Sequence, residues 1–390
     1  MLYRRRNARK QRTKLKGTEE WYLQPLRRAL VSLTLVAFGV SFALLLVKFE
    51  YEPQMDSLTD TVLRDFVDNF NVSNESAIAT NSCHVRFHNP QMYLCHIIPW
   101  GANFGDELGP AVTKEVLRKK YPNCGGVDDL PVLDLSKREK YNHFLPEICL
   151  FTVGSVFFLV RDNDHLWGTG SIDGQRQICQ NEAKNLTVYS VRGPKTANLV
   201  KRWCRDKLHT PFRGISGISQ ELGFGTTGDP GFLVAHLFEN EFKYDSAAAP
   251  LDYCVIPHYF NRKINDLKSV PKEQILSVQQ SWQSMIKKML RCKFIISSSL
   301  HGVILSESFG IPVRWLSRNN RVAPFKFHDY FESFGYRNAT EIGSVSTVEE
   351  GVAMGPPAVL TEAVRQEQVS RILQTFPYAL FTVAGSDATS

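Results

Sequence analysis

The sequence predicts an α/β protein built as two halves around a cleft, behind a single membrane-spanning helix near its N-terminus. Three observations predict it. From about residue 83, short apolar runs alternate with helical patterns, which is the signature of parallel sheets. That alternation halts at "GFGTTGDPGFLVAHLF" and then restarts, giving two halves. Residues 29–47, "ALVSLTLVAFGVSFALLLV", hold no charge over 19 positions, about 28 Å of helix and enough for a bilayer core.

The first 28 residues carry ten Arg or Lys against Glu19 and Glu20. That is +8 of a whole-chain +7, which leaves −1 on the other 362 residues. The basic character therefore belongs to a tail, and nothing in the folded body carries the charge footprint of a nucleic-acid binder. Cations precede the apolar span and Lys48 stands almost alone after it, so the positive-inside rule puts the tail in the cytoplasm. The long basic region, and no small-x-small site soon after the span, argue against a cleaved signal peptide. The expected order is a cytoplasmic basic tail (1–28), a transmembrane signal anchor (29–47) and a lumenal stem (48–82). The stem is acidic and polar, with one weakly amphipathic helix near Leu58 to Phe70.

The first half, residues 83–228, opens with a strand in "MYLCHIIPW". A helix follows in "DELGPAVTKEVLRKKY", acids first and bases last to match the macrodipole. "EICLFTVGSVFFLV" reads as a strand pair or a strand and turn, and "LTVYSVRGP" as a strand ending at Arg192. "PKTANLVKRWC" is a helix with Pro194 in its first turn. The second half, residues 229–345, holds strand "DYCVIPHYF" and helix "PKEQILSVQQSWQSMIKKML". Strand "KFIIS", helix "HGVILSESFG" and strand "IPVRWL" complete it. Residues 346–390 read as a helical segment and tail.

Ligands of parallel sheets sit beyond the carboxyl ends of the strands, so the loops there carry the candidates. In "NFGDELG", Asp106 reads either as a helix N-cap or as a carboxylate that takes a proton from a hydroxyl. Asn103 stands beside it, and Gly105 lets a substrate approach the backbone. "WGTGSIDG", with Gly168 and Thr169, is an anion-binding loop or a plain turn. Arg192 in "SVRGPKT" is an anion clamp at a helix start or half of a surface salt bridge. "SSSLHG" offers Ser298, Ser299, His301 and Gly302. His301 is a group that titrates near neutrality or a core histidine with one structural hydrogen bond. "PFKFHDY" adds Lys326 and His328.

All eight cysteines follow the apolar span, and an even count in an oxidising compartment permits disulfides. Cys83 and Cys95 are the first pair to expect, while Cys254 and Cys292 read equally as buried thiols. No Cys-x-x-Cys spacing points to zinc. Sequons stand at Asn71, Asn74, Asn185 and Asn338, candidates for glycosylation.

In combination, "NFGDELG", "LWGTG", "SVRGP", "GDPGFLV", "VIPHYF" and "SSSLHGVILSESFGIP" resemble, in this order, the motifs of polysaccharide pyruvyl transferases. The resemblance covers roughly residues 95–335. It implies two Rossmann-like domains facing a cleft, GT-B-like, with residues 83–228 on the acceptor side and 229–345 on the donor side. It implies phosphoenolpyruvate as co-substrate, no cofactor and no metal, and a glycan acceptor ending in a hexose, commonly β-galactose. The product would be a 4,6-linked pyruvate ketal, with phosphate released. Under that resemblance Asp106 is the acceptor-side base, Arg192 a donor-anion ligand and His301 the acid or a donor contact. Asn103, Gly105, Gly168, Thr169, Ser298, Ser299 and Gly302 are substrate contacts. Many members carry Arg where this chain has Ser299, so Arg314 or Lys326 would supply the missing charge. The anchored form resembles single-pass type II proteins of the Golgi or endoplasmic reticulum with a lumenal catalytic body. A nucleotide-sugar-dependent glycosyltransferase and a non-catalytic glycan-binding descendant are the alternatives.

Overall fold

The structure is a computed structural model. It describes residues 83–97, 103–136, 147–174, 185–204, 208–209, 226–259, 267–317, 324–336 and 342–384. The body opens with β1 (His84–Phe87), β2 (Met92–His96) and α1 (Leu108–Lys120). Then come β3 (Val132–Asp134), β4 (Ile148–Phe151), β5 (His165–Trp167), β6 (Leu186–Val191), α2 (Pro194–Cys204), β7 (Leu208–His209) and β8 (Thr226–Thr227). The later half contains α3 (Val234–Leu237), β9 (Cys254–Ile256), α4 (Trp282–Met289), β10 (Ile295–Ser297), α5 (Leu300–Ser308), β11 (Val313–Trp315) and α6 (Phe325–Glu332). It closes with α7 (Val348–Met354), α8 (Glu362–Gln374) and β12 (Phe381–Ala384).

Strands β2 to β8 form one parallel sheet in the order β3-β2-β4-β5-β6-β7, with β8 also pairing with β6. Strands β9 to β11 form a second, three-stranded parallel sheet with β10 in its centre. β1 and β12 pair antiparallel. The apolar runs explain the parallel pairing. Leu150 and Phe151 of β4, and Ile295 and Ile296 of β10, are wholly buried, as strands covered on both faces must be. Helix α1 buries Leu108, Val112 and Val116, a stripe at four-residue spacing. It ends in Arg118, Lys119 and Lys120, where cations favour the carboxyl pole.

Of its two readings, "EICLFTVGSVFFLV" takes the strand and turn: β4 and then a 3₁₀ turn, Phe157–Leu159. Gly154 between them takes φ +117°, a conformation that breaks a strand and that side chains avoid. The helix expected across "PKEQILSVQQSWQSMIKKML" is confined to α4, because Ser281 accepts from the Ser284 N–H and caps it there.

The expected pair of Rossmann-like, GT-B-like domains facing a cleft behind a transmembrane helix is corrected. Residues 78–390 form one compact unit. One hydrophobic cluster joins Leu94, Leu150 and Trp167 of the larger sheet to Cys254, Ile256 and Ile295 of the smaller. The smaller sheet contributes Val255 and Ile296 to a separate cluster. Trp167 also ties the larger sheet to the end of α8: its indole Nε1 donates to Thr375 Oγ1 at 3.1 Å, and its ring meets Phe376 edge-on. Among the described residues no helix is long and apolar enough to cross a membrane. The tail, the apolar span 29–47 and the stem lie outside the described residues.

Disulfides join Cys83 to Cys124, Cys95 to Cys149 and Cys254 to Cys292. The expected Cys83–Cys95 pair does not form. The backbone of Gly125 bonds to Cys83 and Val85 and so brings Cys124 alongside Cys83. Cys95 and Cys149 stand on the neighbouring strands β2 and β4, two positions apart in register, and bridge diagonally. Cys254 and Cys292 are buried but are not free thiols.

Candidate active site

A cavity of about 410 Å³ opens where four strands end. Asn103 and Asp106 follow β2, Ser155, Val156 and Phe158 follow β4, His258 and Tyr259 follow β9, and Ser299 to His301 follow β10. Lys326 reaches it from the first turn of α6. Both sheets thus deliver their carboxyl ends into one space, as parallel sheets with bound ligands do.

The loop before α1 is folded around Asn103. Its carbonyl accepts from the Asp106 N–H at 3.0 Å, its Oδ1 from the Gly105 N–H, and its Nδ2 donates to Asp106 Oδ2 at 2.5 Å. Asp106 is not the helix cap; that position falls on Glu107, which makes no side-chain cap bond. The Asp106 carboxyl is pushed up to about 7 by burial, against the opposing pull of Lys326 and of the Asn103 hydrogen bond.

His301 lies in the first turn of α5. Its Nε2 is buried without a hydrogen-bond partner, an unusual cost for a polar atom. Burial lowers its pKa to about 3, helped by the positive charges of Lys326 and Arg192. The imidazole is therefore neutral at physiological pH. Gly105 packs directly against it: a Cβ at position 105 would stand 1.9 Å from His301 Nδ1. Only glycine admits that contact, and through it the loop after β2 touches the helix after β10.

Lys326 is buried, and its Nζ lies 3.2 Å from His258 Nε2. Burial lowers the lysine to about 8, with Arg192 adding to the effect and Asp106 opposing it. His258 is lowered to about 3, by burial first and then by Lys326 and His301. It is a neutral acceptor for the ammonium. Ser298 Oγ accepts from the His258 N–H at 2.8 Å and fixes that loop. Ser297 Oγ takes the Ser299 N–H at 3.1 Å and gives its proton to the Ser299 carbonyl. Gly302 lets α5 close on Ser297, since a Cβ there would lie 2.5 Å from the serine oxygen. Ser299 itself faces the cavity from the cap position without capping.

Other expected residues stand elsewhere. Arg192 is completely buried and is not on the cavity wall. Its Nε bonds Asp329 at 3.1 Å, Nη1 the Ser155 hydroxyl at 2.7 Å and Nη2 the Ser171 carbonyl. It is a buried ion pair behind Ser155, neither a surface salt bridge nor an exposed clamp. Gly168 packs on Pro230, and Thr169 bonds the Gly154 carbonyl; neither reaches the cavity. Arg314 donates to the carbonyls of Gly355, Gly343 and Met354 and lines a separate cavity of about 390 Å³ with Glu307. His328 sits edge-on to Trp315. Asn185 is exposed, while Asn71, Asn74 and Asn338 lie outside the described residues. Sequence reasoning missed His258, Ser155 and Phe158. "VIPHYF" and "TVGSVFF" are strand exits like the others, so the carboxyl-end rule itself was the signal. Among the described residues no cluster of three or more His, Cys, Asp or Glu could hold a metal ion.

Comparison with known proteins bears on what this cavity does. The sequence model of one family, Polysaccharide pyruvyl transferase, matches residues 216–320, which include the Ser-Leu-His-Gly segment. The chain is similar to the succinoglycan biosynthesis protein ExoV of Rhizobium meliloti, 24% identical over 260 residues, covering 65% of this chain and 68% of that protein. It is also similar to an uncharacterized protein of Acanthamoeba polyphaga mimivirus, 27% identical over 230 residues, covering 52% and 72%. An uncharacterized protein of known structure from Klebsiella pneumoniae aligns with 65% of this chain and 93% of its own. The identity there is 10% and the TM-score 0.31, a likeness too slight to build on.

Proposed function

We propose that this chain is a polysaccharide pyruvyl transferase, as its similarity to that family's model over residues 216–320 and to ExoV supports, and that it moves pyruvate from phosphoenolpyruvate onto a terminal galactose. One observation carries this reading: Asp106, His301 and Lys326, from three distant stretches of sequence, line one cavity. The donor has a carboxylate, a phosphate and an electron-rich methylene. It needs a cation, a proton for the methylene and an acceptor for hydroxyl protons. Lys326 supplies the cation that Ser299 does not. Arg192 stays behind Ser155, where its charge helps keep the imidazole neutral.

The titration order assigns the proton steps differently from the resemblance. Of the two groups, Asp106 holds the proton more tightly, and an anion bound between them raises both. Protonated Asp106 gives its proton to the methylene carbon, which becomes the methyl group, while the first sugar hydroxyl adds to the central carbon. The hydroxyl proton passes to the empty Nε2 of His301. The C–O bond to phosphate then breaks, and phosphate leaves with the proton from His301. The second hydroxyl closes the ketal and returns a proton to Asp106. Both groups end as they began. A carboxyl titrating near the working pH suits this exchange.

The body works, on this reading, in the lumen of the Golgi or endoplasmic reticulum. The disulfides support an oxidising compartment, and an exposed Asn185 leaves one sequon open to glycosylation. The test is incubation of the purified protein with phosphoenolpyruvate and methyl β-galactoside, following phosphate release and the acceptor mass. Gain of one pyruvate ketal per acceptor is expected. Nucleotide release from nucleotide sugars, with no ketal from phosphoenolpyruvate, would replace this reading with a glycosyltransferase.

A further inference from the structure

The cavity has a mixed lining. Asp106, His258, His301 and Lys326 line it together with the apolar Ile97, Val156, Phe158 and Ile172. Among these Phe158 is distinctive: 43% of it is exposed, although large aromatics usually bury their area. The cause is local. The 3₁₀ turn after Gly154 buries Phe157 to 1% exposure and packs it with Cys149, Phe151 and Leu166. Successive side chains on such a turn diverge by about 120°, so anchoring Phe157 presents Phe158 to the cavity. The turn is also tied down, with the Phe157 N–H on the Gly170 carbonyl and the Leu159 N–H on the Val156 carbonyl. The aromatic surface is therefore held in place rather than dangling.

An aromatic side chain and polar catalytic groups lining one cavity suit a ligand with one C–H face and one hydroxyl-bearing face. A pyranose is such a ligand. In β-galactose the axial O4 stands on the face opposite H1, H3 and H5. Stacking the H1–H3–H5 face on a ring leaves O4 and O6 directed away from it. Those are the hydroxyls a 4,6-ketal uses. Glucose, with an equatorial O4, lacks this division between its faces.

We propose that Phe158 is the platform on which the acceptor hexose stacks, presenting O4 and O6 to Asp106 and His301. This rests on the pyruvyl-transfer reading, and two measurements separate the fates of the two. In the transfer assay, Phe158→Ala raises KM for methyl β-galactoside about tenfold and leaves KM for phosphoenolpyruvate unchanged. Phe158→Trp restores acceptor KM, and Phe158→Leu does not. Without donor, saturation-transfer NMR on the wild-type protein marks H1, H3 and H5 of methyl β-galactoside most strongly, and the signal is lost in Phe158→Ala. An unchanged acceptor KM, or a donor KM that rises equally, overturns the platform while transfer stands. Sugar contact at H1, H3 and H5 without any transfer overturns the pyruvyl reading while the platform stands. No saturation transfer to the sugar, with or without Phe158, sinks the platform outright.

Discussion

Two strand exits in this molecule are written in nearly the same language and do opposite things. After β6 the chain reads Arg192-Gly193-Pro194 and enters α2; after β10 it reads Ser-Ser-Leu-His-Gly and enters α5. The first is sealed. Arg192 is bound by Asp329, Ser155 and Ser171, and Asp329 is further held by the Thr196 N–H at 2.8 Å and the Thr196 hydroxyl at 2.6 Å. Gly193 lies against the Asp329 backbone, where a Cβ would come within 1.8 Å of its carbonyl oxygen. The second is open. His301 keeps a buried nitrogen without a partner beside a cavity. A buried polar group without a partner calls for an explanation, and at His301 the cavity alongside supplies one.

The largest effect should come from emptying the open exit. His301→Ala and Asp106→Asn should each lower kcat about 10²–10⁴-fold with circular dichroism unchanged; normal turnover in both would end the contrast. Asp106→Asn should also raise Tm at pH 8. A carboxyl raised from 3.8 to about 7 withholds stability as pH climbs through that interval, and an amide has no proton to lose. At the sealed exit, Arg192→Met should cost about 3–5 kcal/mol by leaving Asp329 charged and unpaired, read as a lower urea midpoint. The double variant Arg192→Met, Asp329→Leu should recover part of that. A stable Arg192→Met that fails only in donor KM would make the two exits alike after all.

Gly105→Ala probes the contact between loop and imidazole. It should reduce turnover about 10²-fold, since displacement by an ångström can cost that much. The smallest effect is the sharpest diagnostic. The rate kcat/KM needs Asp106 protonated and Lys326 charged, so it should fall as pH rises through about 7, and more steeply past about 8. Lys326→Gln should erase the second break and move the first upward, because the lysine charge lowers the Asp106 pKa.

This contrast also measures what a sequence can tell. The strands β4, β6, β9, β10 and β11 were legible, because strands buried on both faces are rich in apolar and β-branched residues. Asp106 and His301 were legible as strand-exit residues with chemistry to offer. The fate of Arg192 was not, because nothing near position 192 announces a partner 137 residues away. Lys326 and Arg314 both stood as the cation that Ser299 lacks; the sequence did not separate the two, and only Lys326, carried by α6, reaches the cavity. The cluster that the two sheets share was hidden too: local periodicity reveals that a sheet has an apolar face, not which other sheet will cover it. The Cys83–Cys95 expectation failed on the same ground, since nearness in sequence stood in for nearness in space.

The antiparallel pair of β1 and β12, with His84 opposite Ala384 and Phe87 stacked on Phe381 at 4.9 Å, has a consequence for synthesis. About 300 residues separate these partners, so at about 5–20 residues per second the earlier strand waits about 15–60 s on the ribosome for its mate. During that delay Val85 and Phe87 expose an edge that any extended peptide can borrow. Attended birth, rather than unaided collapse, is what such a layout requires.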